Sequence, residues 1–117
     1  MVDQPVASGG TDLGPTPLEF LFISLASCIM TIGYIIAMQR QLPVRKIEVH
    51  IEGDFDTDIF LGKSTKTRAG FSDIRVQTKI DADMSQEEKL KFLMDVDARC
   101  PISDNIHSLT LIKFMVE

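Results

Sequence analysis

The chain has 117 residues, 44% of them hydrophobic, and a formal net charge of −5. That length and apolar share suit a single domain, 1–117, with a packed core, and hardly two. The acid excess, with no cluster of Lys and Arg to offset it, argues against a nucleic-acid binder.

No basic segment leading into an apolar run opens the sequence, so no secretory leader is expected. Cys28 and Cys100 lie 72 positions apart and are the only cysteines. Two thiols without an export signal suggest a reducing, cytoplasmic setting. Together with His50 and His107 they show none of the close ligand spacings of a metal site, so neither a metal nor a cofactor is expected.

In chain order, residues 2–15 are rich in Gly, Pro and Asp and read as an extended lead-in. "TPLE" then starts a helix. Thr16 can be the N-cap, Pro17 suits the first helical position and Glu19 completes a capping box. The helix should run to about Gln39, because Pro43 must stop it. It carries one charge, Glu19, before its last turn and spans roughly 30 Å, enough to cross a bilayer. The amphipathic elements that follow need an apolar surface to cover, which favours the centre of a soluble core over a membrane span. A chain this small cannot enclose such a helix on every side. A homo-oligomer with the helix at its shared centre is therefore expected, with no membrane partner.

"VRKIEVHIEGDF" sets Val44, Ile47, Val49 and Ile51 against charged neighbours, the pattern of a half-buried strand. "GDFDTDIFLGKSTKTRAG" is a turn-rich link, and "FSDIRVQTKIDAD" alternates again, with Ile74, Val76, Thr78 and Ile80 on one face. The two strands should pair antiparallel with one face wet. "SQEEKLKFLMDVDARC" predicts a second helix, with Ser85 and Glu88 in another capping box and Leu90, Leu93, Val96 and Cys100 on its apolar face. Pro101 should close or kink it. "SLTLIKFMVE" reads as a final strand. The methionines, Met30, Met38, Met84, Met94 and Met115 among them, are expected to fill the core. His50 should be solvated beside Glu48 and Glu52.

Two stretches together resemble the OsmC/Ohr family. "GGTDLGPTPLEFLFISLASC" is similar to the family run that leads through Gly-Gly, Asp, Gly-Pro and Pro to a cysteine in a central helix. "ARCPISDNI" resembles the second motif, an Arg-Cys-Pro around a second cysteine, and the elements between them come in the matching order. The resemblance implies an α+β fold in which an antiparallel sheet wraps a long central apolar helix, assembled as an intertwined homodimer. It implies thiol-dependent reduction of hydroperoxides, organic ones above all, with Cys28 as the peroxidatic and Cys100 as the resolving cysteine. A dithiol of the lipoyl type, or another small thiol, would be the reductant.

The family's usual N-terminal strand meander, and the arginine it supplies to activate the first thiol, have no counterpart before residue 9. The first arginine is Arg40. A thiol attacks a peroxide as thiolate, and a free cysteine has a pKa of about 8.5. Cys28 lies about three turns into its helix, where the helix dipole helps little. Arg99, beside Cys100, is the candidate cation. Glu19 follows the motif proline by two residues, where the peroxidase branch has its glutamate directly after it. Its first role is the capping box, and on one straight helix it stands roughly 13 Å along the axis from Cys28. The catalytic set implied is Cys28, Cys100, Glu19 and Arg99. The alternative is a non-catalytic module of the same fold that binds a hydrophobic small molecule or serves structurally. In that case Cys28 is a small core residue and Cys100 fills an apolar face.

Overall fold

The computed structural model describes residues 1–117. Helix α1 (Pro17–Arg40) is followed by strand β1 (Val44–Phe55), a single turn of helix α2 (Thr57–Phe60), strand β2 (Phe71–Ala82), and helices α3 (Gln86–Arg99) and α4 (Pro101–His107). β1 and β2 form a two-stranded antiparallel sheet. The molecule is α+β, with a hairpin and two shorter helices packed on one long apolar helix.

Both capping boxes form. Thr16 Oγ1 accepts from the Glu19 N–H at 3.1 Å while the Glu19 carboxylate accepts from the Thr16 N–H, and Ser85 and Glu88 repeat the arrangement on α3. These satisfy N–H groups that have no partner inside the helix. α1 ends at Gln41, which takes the left-handed conformation and returns its N–H to Ala37 and Met38.

α1 buries Leu25, Ile29, Gly33, Ile36 and Ala37. The hairpin covers this face with Ile47, Ile80 and Ala82, and α3 and the α3–α4 joint with Phe92, Val96 and Cys100. Ile36, Val96 and Cys100 are the most deeply enclosed side chains. Burial of an aliphatic chain of this size contributes about 1.5–3 kcal/mol. A register shift between Val44 and Lys46 explains how Val44 and Ile47, three apart, both face inward. A bulge adds one residue and restores the alternation.

Several expectations are corrected. The lead-in is a folded loop, not an extended one: the Asp3 N–H donates to Pro15 O at 3.0 Å, and the Asp3 carboxylate accepts from the backbone of Gln4, Thr11 and Leu13 and from the Thr11 hydroxyl. On α3 Phe92 is buried together with Val96, and Leu90 is exposed. The inward stripe runs through Phe92, Leu93 and Val96, because Phe92 fits over Gly33 of α1. Pro101 does not merely end α3 but opens α4 at a position where its missing N–H costs nothing. Met30 and Met84 pack on the core, while Met38, Met94 and Met115 are exposed. The predicted last strand is absent: residues 109–117 have no secondary structure, and Leu109, Leu111, Phe114 and Val116 stand in solvent. A strand needs a neighbour, and the hairpin pairs only with itself.

α1 is long and apolar enough to cross a membrane, and 28% of its most apolar window is buried within the chain. One face meets the hairpin and α3. On the other, Ile23, Tyr34, Ile35 and Met38 are exposed.

Candidate active site

Cys28 lies in the middle of α1, next to Ile29 of the buried face, and is half-buried against the core. Cys100 is the joint between α3 and α4 and is 1% exposed. Its N–H donates to Asp97 O at 3.1 Å, closing α3, and its own carbonyl accepts from Asp104 N, opening α4. Its sulfur caps α4 by accepting from the Ser103 N–H at 3.4 Å.

The fold thus brings together two cysteines 72 residues apart in sequence. Both are free thiols. The Cys100 pKa is raised, first by burial and then by a hydrogen bond with Cys28, while the N–H groups of Ser103 and Ile102 act in the opposite direction. Burial disfavours the charged thiolate, and a neighbouring sulfur that accepts the proton favours the neutral form further. Cys100 is therefore a protonated, shielded thiol, and Cys28 is the more accessible partner.

A cleft of about 390 Å³ lies nearby, lined by neighbours of the two cysteines in sequence but by neither sulfur-bearing residue itself. Leu25, one helical turn before Cys28, and Ser103, which holds the Cys100 sulfur, both line it, with Phe71, Ile74, Val76 and Ile106 making an apolar wall. Arg68, His107, Asp73 and Asp97 supply polar groups of both charge signs at the same cleft. The Arg68 guanidinium donates to Phe71 O at 3.1 Å.

The other two residues expected at the site lie elsewhere. Glu19 stays in its capping box on the first turn of α1, exposed. Arg99 donates to Gln39 Oε1 at 2.8 Å. Gln39 is eleven residues past Cys28, roughly 16 Å along the helix axis, so Arg99 is tethered at the far end of α1 and away from the thiol it was expected to activate. The direction α3 takes across α1 decides this, and a single sequence does not display it. His50 is exposed and meets Glu52 at 3.1 Å, as its strand position implied.

Sequence reasoning missed Arg68 and the Asp97–Ser103 pair. The signal for Arg68 was the link "LGKSTKTRAG", which holds three cations and no acid. The signal for Ser103 was its place three residues after Cys100, the spacing at which an N-cap side chain meets a backbone N–H.

A half-buried thiol on the long central helix and a buried thiol at the α3–α4 joint thus lie side by side in a small α+β domain. The chain belongs to the OsmC family: the OsmC-like protein model matches residues 9–114. No curated protein matches it by sequence. Among solved structures it is similar to an OsmC-like protein from Mycoplasma pneumoniae, with 22% identity over 92% of this chain and 72% of that one and a TM-score of 0.77. It is similar to an organic hydroperoxide resistance protein of Legionella pneumophila, with 16% identity, 90% and 71% coverage and a TM-score of 0.70. It is also similar to the organic hydroperoxide resistance protein of Bacillus subtilis, with 19% identity, 87% and 68% coverage and a TM-score of 0.56. At such identities the likeness is one of fold.

Proposed function

We propose that this protein reduces organic hydroperoxides through Cys28 and Cys100, as a cytoplasmic homodimer recharged by a small dithiol. The observation that carries the reading is the meeting of Cys28 and Cys100 across α1 and the α3–α4 joint, in a family whose structural neighbours include organic hydroperoxide resistance proteins. The cleft lined by Leu25 and Ser103 has an apolar wall that suits the organic part of such a substrate.

In the reaction, the Cys28 thiolate attacks the outer peroxide oxygen. The O–O bond breaks, the alkoxide takes a proton and leaves as an alcohol, and Cys28 becomes a sulfenic acid. The Cys100 thiol then attacks the Cys28 sulfur. Water leaves, and a Cys28–Cys100 disulfide remains. The dithiol reduces that disulfide and is itself oxidised to a disulfide. The homodimer would cover the face of α1 that one chain leaves exposed.

The test is consumption of cumene hydroperoxide with dithiothreitol by wild type, Cys28→Ser and Cys100→Ser. Cys28→Ser should abolish turnover. Without dithiothreitol, Cys100→Ser should consume one equivalent of hydroperoxide and give a dimedone adduct at Cys28, whereas wild type under the same conditions should form the Cys28–Cys100 disulfide. A wild type that consumes no hydroperoxide, or a Cys28→Ser variant as fast as wild type, overturns the proposal. The first outcome favours a binding module, the reading that the distant position of Arg99 supports.

A further inference from the structure

We infer that Asp97 and Ser103 are positioning residues for Cys100, holding a backbone N–H on its sulfur so that it departs readily when the Cys28–Cys100 disulfide is reduced. The inference rests on the two-cysteine reading above and assigns work to two side chains which that reading leaves unused.

Ser103 is the one buried polar residue of the chain, at 8% exposure. Its hydroxyl donates to Asp97 Oδ1 at 2.5 Å, a short bond between the last turn of α3 and the first turn of α4. Its N–H donates to Cys100 Sγ. The backbone carbonyl of Asp97 meanwhile accepts from the Cys100 N–H. Asp97 thus braces the cysteine through the main chain and braces Ser103 through the side chain. α4 has seven residues. A helix this short is marginal alone, so the placement of its first N–H groups depends on such external fastening.

The chemistry asks for this. A dithiol entering from solvent meets the half-buried Cys28 sulfur and not Cys100, which is enclosed. Its thiolate attacks Cys28 Sγ, the disulfide bond breaks, and the electron pair passes to Cys100 Sγ. The second thiol of the reductant then displaces Cys28 and closes the reductant's own disulfide. The two protons of the dithiol end on the two cysteines. In the first of these steps a thiolate forms at a site sealed from water. Burial opposes that charge, and the rate of exchange rises as the leaving thiol becomes more acidic. The Ser103 N–H is the donor aimed at that sulfur, and Asp97 keeps it aimed.

The experiment uses the full chain oxidised with diamide to the intramolecular disulfide, then reduced by dithiothreitol, with the free thiols counted by mass after rapid alkylation. Ser103→Ala and Asp97→Ala should each slow reduction about tenfold, the effect of losing one hydrogen bond to a developing charge. Ser103→Thr and Asp97→Asn keep an acceptor–donor pair and should restore the rate, which a general loss of stability would not do. The formation of Cys28 sulfenic acid from hydroperoxide should slow much less than reduction does. Reduction at the wild-type rate in both alanine variants overturns the inference, as does failure of both conservative variants to recover it. Either alanine variant decides the matter if melting shows the other unfolded. Because diamide supplies the oxidation, this result stands apart from peroxidase activity: a protein inert to hydroperoxides but slowed by Asp97→Ala refutes the function and keeps the positioning.

Discussion

The Cδ1 methyl of Ile47 lies 2.6 Å from the point where a Cβ on Gly33 would stand. β1 and α1 come this close because residue 33 has no side chain. Ile47 is 5% exposed, and Phe92, at 3%, closes the space beside it. An alanine in mid-helix gains up to about 1 kcal/mol over glycine. Overpacking a filled core costs about 1–3 kcal/mol. The second effect should win, since Ile47 is enclosed in the core and Phe92 also stands 3.6 Å from that point. Gly33→Ala is expected to lower the melting temperature by several degrees, and Gly33→Ala with Ile47→Val to regain most of that. Calorimetry of the two variants checks it. A Gly33→Ala protein that melts above wild type contradicts the packing described.

The Asp3 carboxylate is held well below the usual carboxylate range. The hydrogen bond from the Thr11 hydroxyl is the largest cause, followed by the backbone N–H groups of Leu13, Gln4 and Thr11. A group whose pKa is lower folded than unfolded contributes stability above its unfolded value, about 3.9 for Asp. The contribution fades as pH falls through the ordinary range toward the lower folded value. The N-terminal loop should therefore stay ordered at pH 5 and loosen progressively below about pH 4. Asp3→Ala should loosen it already at neutral pH without changing the melting of the core. Amide chemical shifts of Gln4, Thr11 and Leu13 report this directly. Shifts that do not change from pH 5 to the acid limit would contradict it.

The legible parts of the fold were local. Thr16 with Glu19 and Ser85 with Glu88 are three residues apart, and each capping box is complete within its own turn. The bulge was not read from the sequence: Val44 and Ile47 were set in one alternating strand, although their spacing of three breaks the period of two. What else failed was set by distant neighbours. Leu90 and Phe92 suit opposite sides of α3 equally by period, and the cavity over Gly33 chooses between them. The apolar segment after Ser108 has the composition of a strand but no partner in its own chain. At the site, the motifs around Cys28 and Cys100 named the thiols. The pairing of Asp97 with Ser103 depends on the angle at Cys100, and the capture of Arg99 by Gln39 on the path of α3.

Cys100 should be slow to alkylate. Burial is the first cause of its raised pKa and the bond with Cys28 the second. With Cys28→Ser present to remove the competing thiol, iodoacetamide labelling followed across pH should still give an apparent pKa above the free-cysteine value of about 8.5, because burial remains. Unfolding in urea should return it to the ordinary value. A folded Cys28→Ser protein whose Cys100 labels with a midpoint below that of the unfolded chain would show that the Ser103 and Ile102 N–H groups outweigh burial.

The homodimer proposed above makes the sharpest demand on surface chemistry. In the isolated chain Leu109, Leu111, Ile112, Phe114, Met115 and Val116 are at least 69% exposed. Burying an aliphatic or aromatic side chain gains about 1.5–3 kcal/mol, so six of them within nine residues represent a large unused driving force. The exposed face of α1 adds a second surface. Ser24, Ser27 and Thr31 lie exposed along it, with Ile23, Tyr34, Ile35 and Met38 beside them. Small side chains let a second helix approach closely, and the flanking apolar groups gain from being covered. Thr31→Arg puts a charged, bulky side chain in the middle of that face, while its own chain leaves the position open to solvent. It should fold as a monomer. Truncation after Ser108 should weaken association without removing the β1–β2 hairpin, to which the tail adds no strand. Light scattering on wild type should give twice the chain mass at micromolar concentration, and Thr31→Arg the chain mass. A monomeric wild type, or a Thr31→Arg protein that is still dimeric, would show that α1 does not meet its copy along this face.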